Sequence, residues 1–140
     1  MTYIKKYSLY LIFTIALVGT LVSIYFSDIL GWAPCVLCWY QRIFLYPIVI
    51  ISLVGILRKD PQVHAYIVPM AIIGALISLF HNFLYWGIVP ESAAPCQAGV
   101  SCTAEYLKLY GFVTIPLLCL VAFVLIIILA FLNKKNYENQ

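Results

Sequence analysis

Charge is the scarcest property of this 140-residue chain: only 9% of its residues are Asp, Glu, Lys or Arg, against 65% apolar. A soluble domain has about 25% charged and roughly 45–50% apolar residues, so lipid is the expected solvent. A clustered basic face is missing too. The eight Lys and Arg stand in ones and twos, for a formal net charge of +3, a pattern that argues against a nucleic-acid surface. Long polar stretches are also lacking; the longest connection runs to about twenty residues, too short for a separate soluble domain. Neither an internal repeat nor a low-complexity segment is present. Any catalytic site must therefore sit on apolar helices or on the short loops joining them.

Four apolar runs make up most of the chain. No charge falls between Lys6 and Asp28, and the run over about residues 7–27 is long enough to cross a hydrocarbon core of about 30 Å at ~1.5 Å per residue. Its Lys5-Lys6 start looks like the opening of a signal peptide. The run nonetheless exceeds the ~7–15 residues of such a segment and no A-x-A site follows, so an uncleaved anchor is expected. Further runs cover about residues 38–57, 65–88 and 110–132. Backbone polar groups in lipid must be satisfied within the segment, which makes these runs helices, with Pro47, Pro69 and Pro116 as kinks or first-turn residues. The expected fold is an all-α integral membrane protein, a bundle of four transmembrane helices.

Orientation follows from the cations. Lys5, Lys6, Arg58, Lys59, Lys134 and Lys135 fall on one side, Arg42 and Lys108 on the other, a bias that places both termini in the cytoplasm of a multi-pass cell-membrane protein. The loops from Ser27 to Trp39 and from Val89 to Leu109 then face outward. They carry four of the five cysteines.

Cys35 and Cys38 form a C-x-x-C where an outer loop becomes the second helix. Zinc sites, redox centres and haem attachment all use this spacing; c-type haem needs His at the next position, where this chain has Trp39. At a helix N-terminus the unpaired N–H groups and the macrodipole favour an anion, so a thiolate there should be stabilised as both nucleophile and leaving group. Arg42 lies four residues after Cys38, one turn along on the same face, placed to hold a guanidinium beside a thiolate or a reduced quinone oxygen. Its alternative is a snorkelling interface anchor. Cys96 and Cys102, with five residues between them including Gly99, form a second sequence-local pair. Outside the cytoplasm such pairs are more often oxidised than metal-bound. Two inert staples, or zinc held by all four loop cysteines, are the competing readings.

His81 falls seven residues before the expected outward end of the third helix, about 10 Å deep. That depth suits a quinone head group, and equally a neutral His packed between helices. His64, in the cytoplasmic loop, is expected to face solvent. Cys119 is expected near mid-bilayer, out of reach of any redox loop, as a small core residue. Trp32, Trp39, Tyr40, Tyr85 and Trp86 fit an interfacial aromatic belt, where a flat cofactor could also stack.

Over nearly its whole length the chain resembles the DsbB family of membrane thiol:quinone oxidoreductases, especially the family's short BdbC type. The most specific part is Cys35-Val36-Leu37-Cys38-Trp39-Tyr40-Gln41-Arg42; Ser101-Cys102-Thr103-Ala104-Glu105 followed by Pro116 looks like the family's second half. The resemblance implies disulfides Cys35–Cys38 and Cys96–Cys102, the first pair facing a quinone (menaquinone or ubiquinone) attended by Arg42. The second pair would face an extracytoplasmic thioredoxin-like thiol oxidase of the DsbA or BdbD kind. Many relatives separate the second pair by a long loop, whereas five residues intervene here. Electrons would pass from the partner through Cys96–Cys102 to Cys35–Cys38 and into the quinone, supporting disulfide formation in exported proteins. A stapled membrane scaffold without redox turnover is the alternative.

Overall fold

The computed structural model describes residues 2–93, 101 and 114–137; Cys96, Cys102 and Lys108 lie outside them. Among the described residues four helices carry the fold: α1 (Thr2–Ile24), α2 (Val36–Arg58), α3 (Val63–Tyr85) and α4 (Ile115–Tyr137). Each contains a stretch long and apolar enough to cross a membrane. Contacts run α1 to α2, α2 to α3, α3 to α4 and α4 back to α1, so the helices close a ring around a main apolar core, with a smaller buried cluster at Cys35, Leu37 and Leu84. The chain is a multi-pass, four-helix membrane protein.

α1 begins at Thr2 and α4 runs on to Tyr137, each about five residues beyond the expected apolar run, and two ends nearer the cysteine pair also differ from the sequence expectation. α3 stops at Tyr85 rather than near residue 88, with Trp86 capping back to Asn82 and Leu84. α4 starts at Ile115 rather than near residue 110, because Thr114 takes the capping position and its Oγ1 accepts from Leu117 N–H at 3.4 Å. Pro116 therefore sits in the first turn of α4, where a missing N–H costs nothing.

In lipid, helices gain little from hiding one apolar side chain behind another, and association rests on close packing through small residues. Leu57 and Ile50 are accordingly 74% and 66% exposed on the outside of the bundle. The inside holds Ala16, Ser52, Ala71, Gly74, Ser78 and Ala130, interleaved with fully buried Ile12, Ile48, Ile67 and Ile126. Ser52 and Asn82 spend their buried donors on carbonyls of their own helices, Ile48 O at 2.6 Å and Ser78 O at 2.8 Å.

Gly74 lets α3 approach α4. A Cβ there would lie 2.4 Å from the ring of Phe123, itself 1% exposed. The expected result of Gly74→Ala is a destabilisation of about 1–3 kcal/mol, the usual cost of overpacking, seen as a lower midpoint of thermal unfolding in detergent. Adding Phe123→Leu should recover part of it. An unchanged midpoint in the single variant would contradict the close approach.

Candidate active site

The outer end of α1 prepares the site. Its last turn widens into a π turn over Tyr25–Ile29, closed by Leu30 N–H to Tyr25 O at 3.2 Å, the kind of irregularity that recurs at functional sites. Gly31 then adopts φ +66°, a left-handed conformation that other residues resist. The turn brings Trp32 back over Phe26, with rings stacked 5.1 Å apart and Trp32 N–H donating to Phe26 O at 3.1 Å.

Arg42 crosses from α2 to this turn. Its Nη2 donates to Ser23 O at 3.0 Å and its Nη1 to Ser27 Oγ at 3.3 Å, and its guanidinium lies 5.4 Å from the Trp39 ring centre. A cation is well placed at the carbonyl end of a helix and over an aromatic face. The side chain is thus held within the protein rather than extended to the interface as a free anchor.

Cys35 is the N-cap of α2, in extended backbone, and its Sγ accepts from Cys38 N–H at 3.4 Å. The two thiols stand with sulfurs 2.9 Å apart. Hydrogen bonding from the Cys38 thiol lowers Cys35 most, from a usual 9.0 to about 4; burial opposes this, and His81 and the Cys38 backbone N–H add to it. The helix-terminal N–H of Cys38, on which the sequence argument for an anion rests, is the smallest of these causes. In the reduced protein, with the reductant removed, alkylation of Cys35 by iodoacetamide should stay nearly constant from pH 8 down to about pH 5. It should fall tenfold per pH unit only below about pH 4. Mass spectrometry of the Cys35 peptide reads this; a tenfold fall per unit across the whole range would mean an ordinary thiol.

His81 is 2% exposed and lies one turn from the end of α3, not two. Its Nε2 is 3.9 Å from Cys35 Sγ and its Nδ1 is 3.1 Å from Gln41 Nε2. An amide nitrogen only donates, so with this orientation Nδ1 accepts and the ring proton sits on Nε2, facing the sulfur. Sequence reading passed over Gln41, yet it is 4% exposed and fixes the ring. Its signal was a polar residue three positions after Cys38, on the same face of an otherwise apolar helix.

On the other side of the cysteine pair lies a cavity of about 160 Å³. Cys38, Gln41 and Arg42 line one part of it, Phe26, Trp32 and Pro34 another, and Leu45, Leu118 and Phe123 supply apolar walls. Cys38 and Arg42 both line it, from the one face of α2 that their spacing gives them; Cys35 and His81 are not among its lining residues. Cys119 is, because the late start of α4 leaves it one turn inside the helix rather than at mid-bilayer. If a flat cofactor enters this space, Cys119→Ala should keep turnover within about threefold of the parent, whereas Cys119→Phe, which fills the space, should raise the KM for that cofactor at least about tenfold. Equal kinetics for both variants would mean that the cavity is not used.

The model of the family described as "Disulfide bond formation protein DsbB" matches residues 5–133. The chain belongs to the DsbB family. It is 46% identical over 126 residues to "Disulfide bond formation protein C" of Bacillus subtilis strain 168, covering 90% of this chain and 91% of that protein. To "Probable disulfide formation protein C 1" of Bacillus anthracis it is 43% identical over 133 residues, 94% of this chain and 95% of the relative. A prophage-derived "disulfide bond formation protein B" of Bacillus subtilis is 39% identical over 143 residues, 99% and 95% of the two chains. No solved structure matches the chain.

Proposed function

We propose that this chain reoxidises an extracytoplasmic thioredoxin-like thiol oxidase and passes the electrons to a membrane quinone, so that exported proteins acquire disulfides. The observation that carries this reading is the shared cavity: Cys38 and Arg42 open onto one apolar-walled space, with Cys35 directly behind. Membership of a disulfide-forming family and the C-x-x-C at a helix N-terminus point the same way. The excess of cations at the other ends of the helices supports an outward-facing site.

The residues fit a quinone. A dry cavity of ~150 Å³ admits a benzene-sized ring, and the lining supplies flat aromatic and aliphatic walls with a guanidinium and an amide at one part. When bound, the quinone accepts two electrons and two protons and leaves as quinol. The chain's own residues do the rest. A thiolate of the reduced Cys96/Cys102 pair attacks Cys35 Sγ, forming a mixed disulfide and releasing Cys38 as a thiolate into the cavity. Arg42 stabilises negative charge there. Attack by the second loop thiolate on the mixed disulfide re-forms Cys96–Cys102 and frees Cys35. Cys35, held as a thiolate by its cap and by His81, then closes the Cys35–Cys38 disulfide as the electron pair leaves through the cavity. Two pairs are needed because one must reach a water-soluble partner and the other a lipid-soluble ring.

The test counts thiols with a mass tag on protein held under a mild dithiol, with and without a quinone analogue. Quinone-dependent reoxidation of the four cysteines supports the oxidoreductase. Cysteines that stay oxidised throughout would mean a stapled scaffold, and labelling of Cys96 and Cys102 that depends on a chelator would mean zinc held by all four loop cysteines.

A further inference from the structure

Three soft or borderline metal donors converge behind the cavity. Cys35 Sγ lies 2.9 Å from Cys38 Sγ and 3.9 Å from His81 Nε2, and all three donor atoms fall within 4.8 Å of one another. Zinc bound at about 2.3 Å to sulfur and about 2.0–2.1 Å to nitrogen separates tetrahedral donors by roughly 3.4–3.8 Å. Opening the two sulfurs by on the order of 1 Å, with Cys38 Sγ and His81 Nε2 drawn into the same range from within 4.8 Å, meets that geometry. We propose that Cys35, Cys38 and His81 form a binding site for a thiophilic d10 cation such as Zn²⁺, present only while the cysteine pair is reduced, and that its occupation blocks reoxidation of the pair.

The donor set shares Cys35 and Cys38 with the four-cysteine alternative but completes them with His81 rather than with Cys96 and Cys102, and its chemistry is consistent in detail. Zinc on Nε2 requires the ring proton on Nδ1, where the Gln41 amide, turned by 180°, accepts it through Oε1. An oriented amide on the far ring nitrogen is the usual second partner of a metal-bound His. Cys38 reaches the cavity, which gives the ion a way in and leaves a fourth position open to water. No electron moves: binding forms two Zn–S bonds and one Zn–N bond and releases whatever protons the sulfurs still hold. In the disulfide the same sulfurs have no thiolate to offer, so oxidation expels the metal. The site thus senses the redox state of the pair. Binding stands apart from the quinone; only the block on turnover rests on the function proposed above.

The experiment uses the full chain with Cys96→Ser, Cys102→Ser and Cys119→Ala, reduced, in detergent, with one equivalent of Zn²⁺. X-ray absorption at the zinc edge should show two sulfurs at about 2.3 Å and one His nitrogen at about 2.0–2.1 Å. His81→Gln should weaken zinc binding at least about tenfold, and diamide-oxidised protein should retain none. A sulfur shell with no imidazole nitrogen, or equal retention by the oxidised protein, would overturn the site. Should His81→Gln fail to fold, the absorption spectrum of the parent still decides. Quinone reduction by the zinc-free parent should be slowed at least about tenfold by saturating zinc and restored by EDTA. Undiminished reduction with the site filled would overturn the block, whereas no reduction without zinc would overturn the quinone reading instead and leave the metal site standing.

Discussion

Replacing Cys38 by serine is expected to end quinone reduction, with turnover falling on the order of 10³-fold or more, to the uncatalysed background. Of the two C-x-x-C sulfurs, only that of Cys38 belongs to a residue lining the cavity, and a serine hydroxyl neither accepts electrons from a thiolate nor passes them on. Cys35→Ser should be equally inactive for a different reason, since it leaves no sulfur to close the disulfide with Cys38. In both variants Cys96 and Cys102 should still exchange once with a dithiol partner, giving a single stoichiometric burst and no steady state. Anaerobic quinol formation with a dithiol in excess makes the measurement. Sustained quinol production by Cys38→Ser would remove Cys38 from the electron path.

Arg42→Ala should slow turnover by roughly 30- to 1,000-fold at limiting quinone, equivalent to ~2–4 kcal/mol of charge stabilisation lost at a dry site. The guanidinium also ties α2 to Ser23 O and Ser27 Oγ, so part of the loss could come from a loosened π turn. Arg42→Lys separates the two effects. It keeps a positive charge but not the planar fork, and should recover activity only partly, while circular dichroism of both variants stays that of a four-helix bundle. Wild-type kinetics for Arg42→Ala across a quinone titration would reduce the residue to a link between helices.

The four spans were legible because lipid leaves an apolar run of this length little choice but helix. Helix ends were less so. The stop at Tyr85 and the start at Ile115 depend on caps at Trp86 and Thr114, local hydrogen bonds that hydropathy does not register. Those few residues mattered for the site: the later start of α4 brought Cys119 to the cavity wall, and the earlier end of α3 brought His81 to within one turn of its terminus. That Cys38 and Arg42 line the same cavity follows from helical spacing, since i and i+4 share a face. The contact of His81 with Cys35 joins residues 46 apart and depends on how α2 packs against α3, which no local pattern encodes. The same holds for Gln41, whose importance lies in its partner on another helix. The second cysteine pair, Cys96 and Cys102, falls outside the described residues, and its pairing and its route to Cys35 belong to the proposal.

The most direct measurement mixes a fully reduced Cys96→Ser, Cys102→Ser protein with one equivalent of a quinone analogue, without oxygen or added dithiol. One quinol per chain should form, and peptide mapping should find Cys35 joined to Cys38 while Cys119 remains a thiol. Failure to form quinol, or quinol formed while Cys35 and Cys38 stay free, would contradict the assignment of this pair as the electron donor to the quinone.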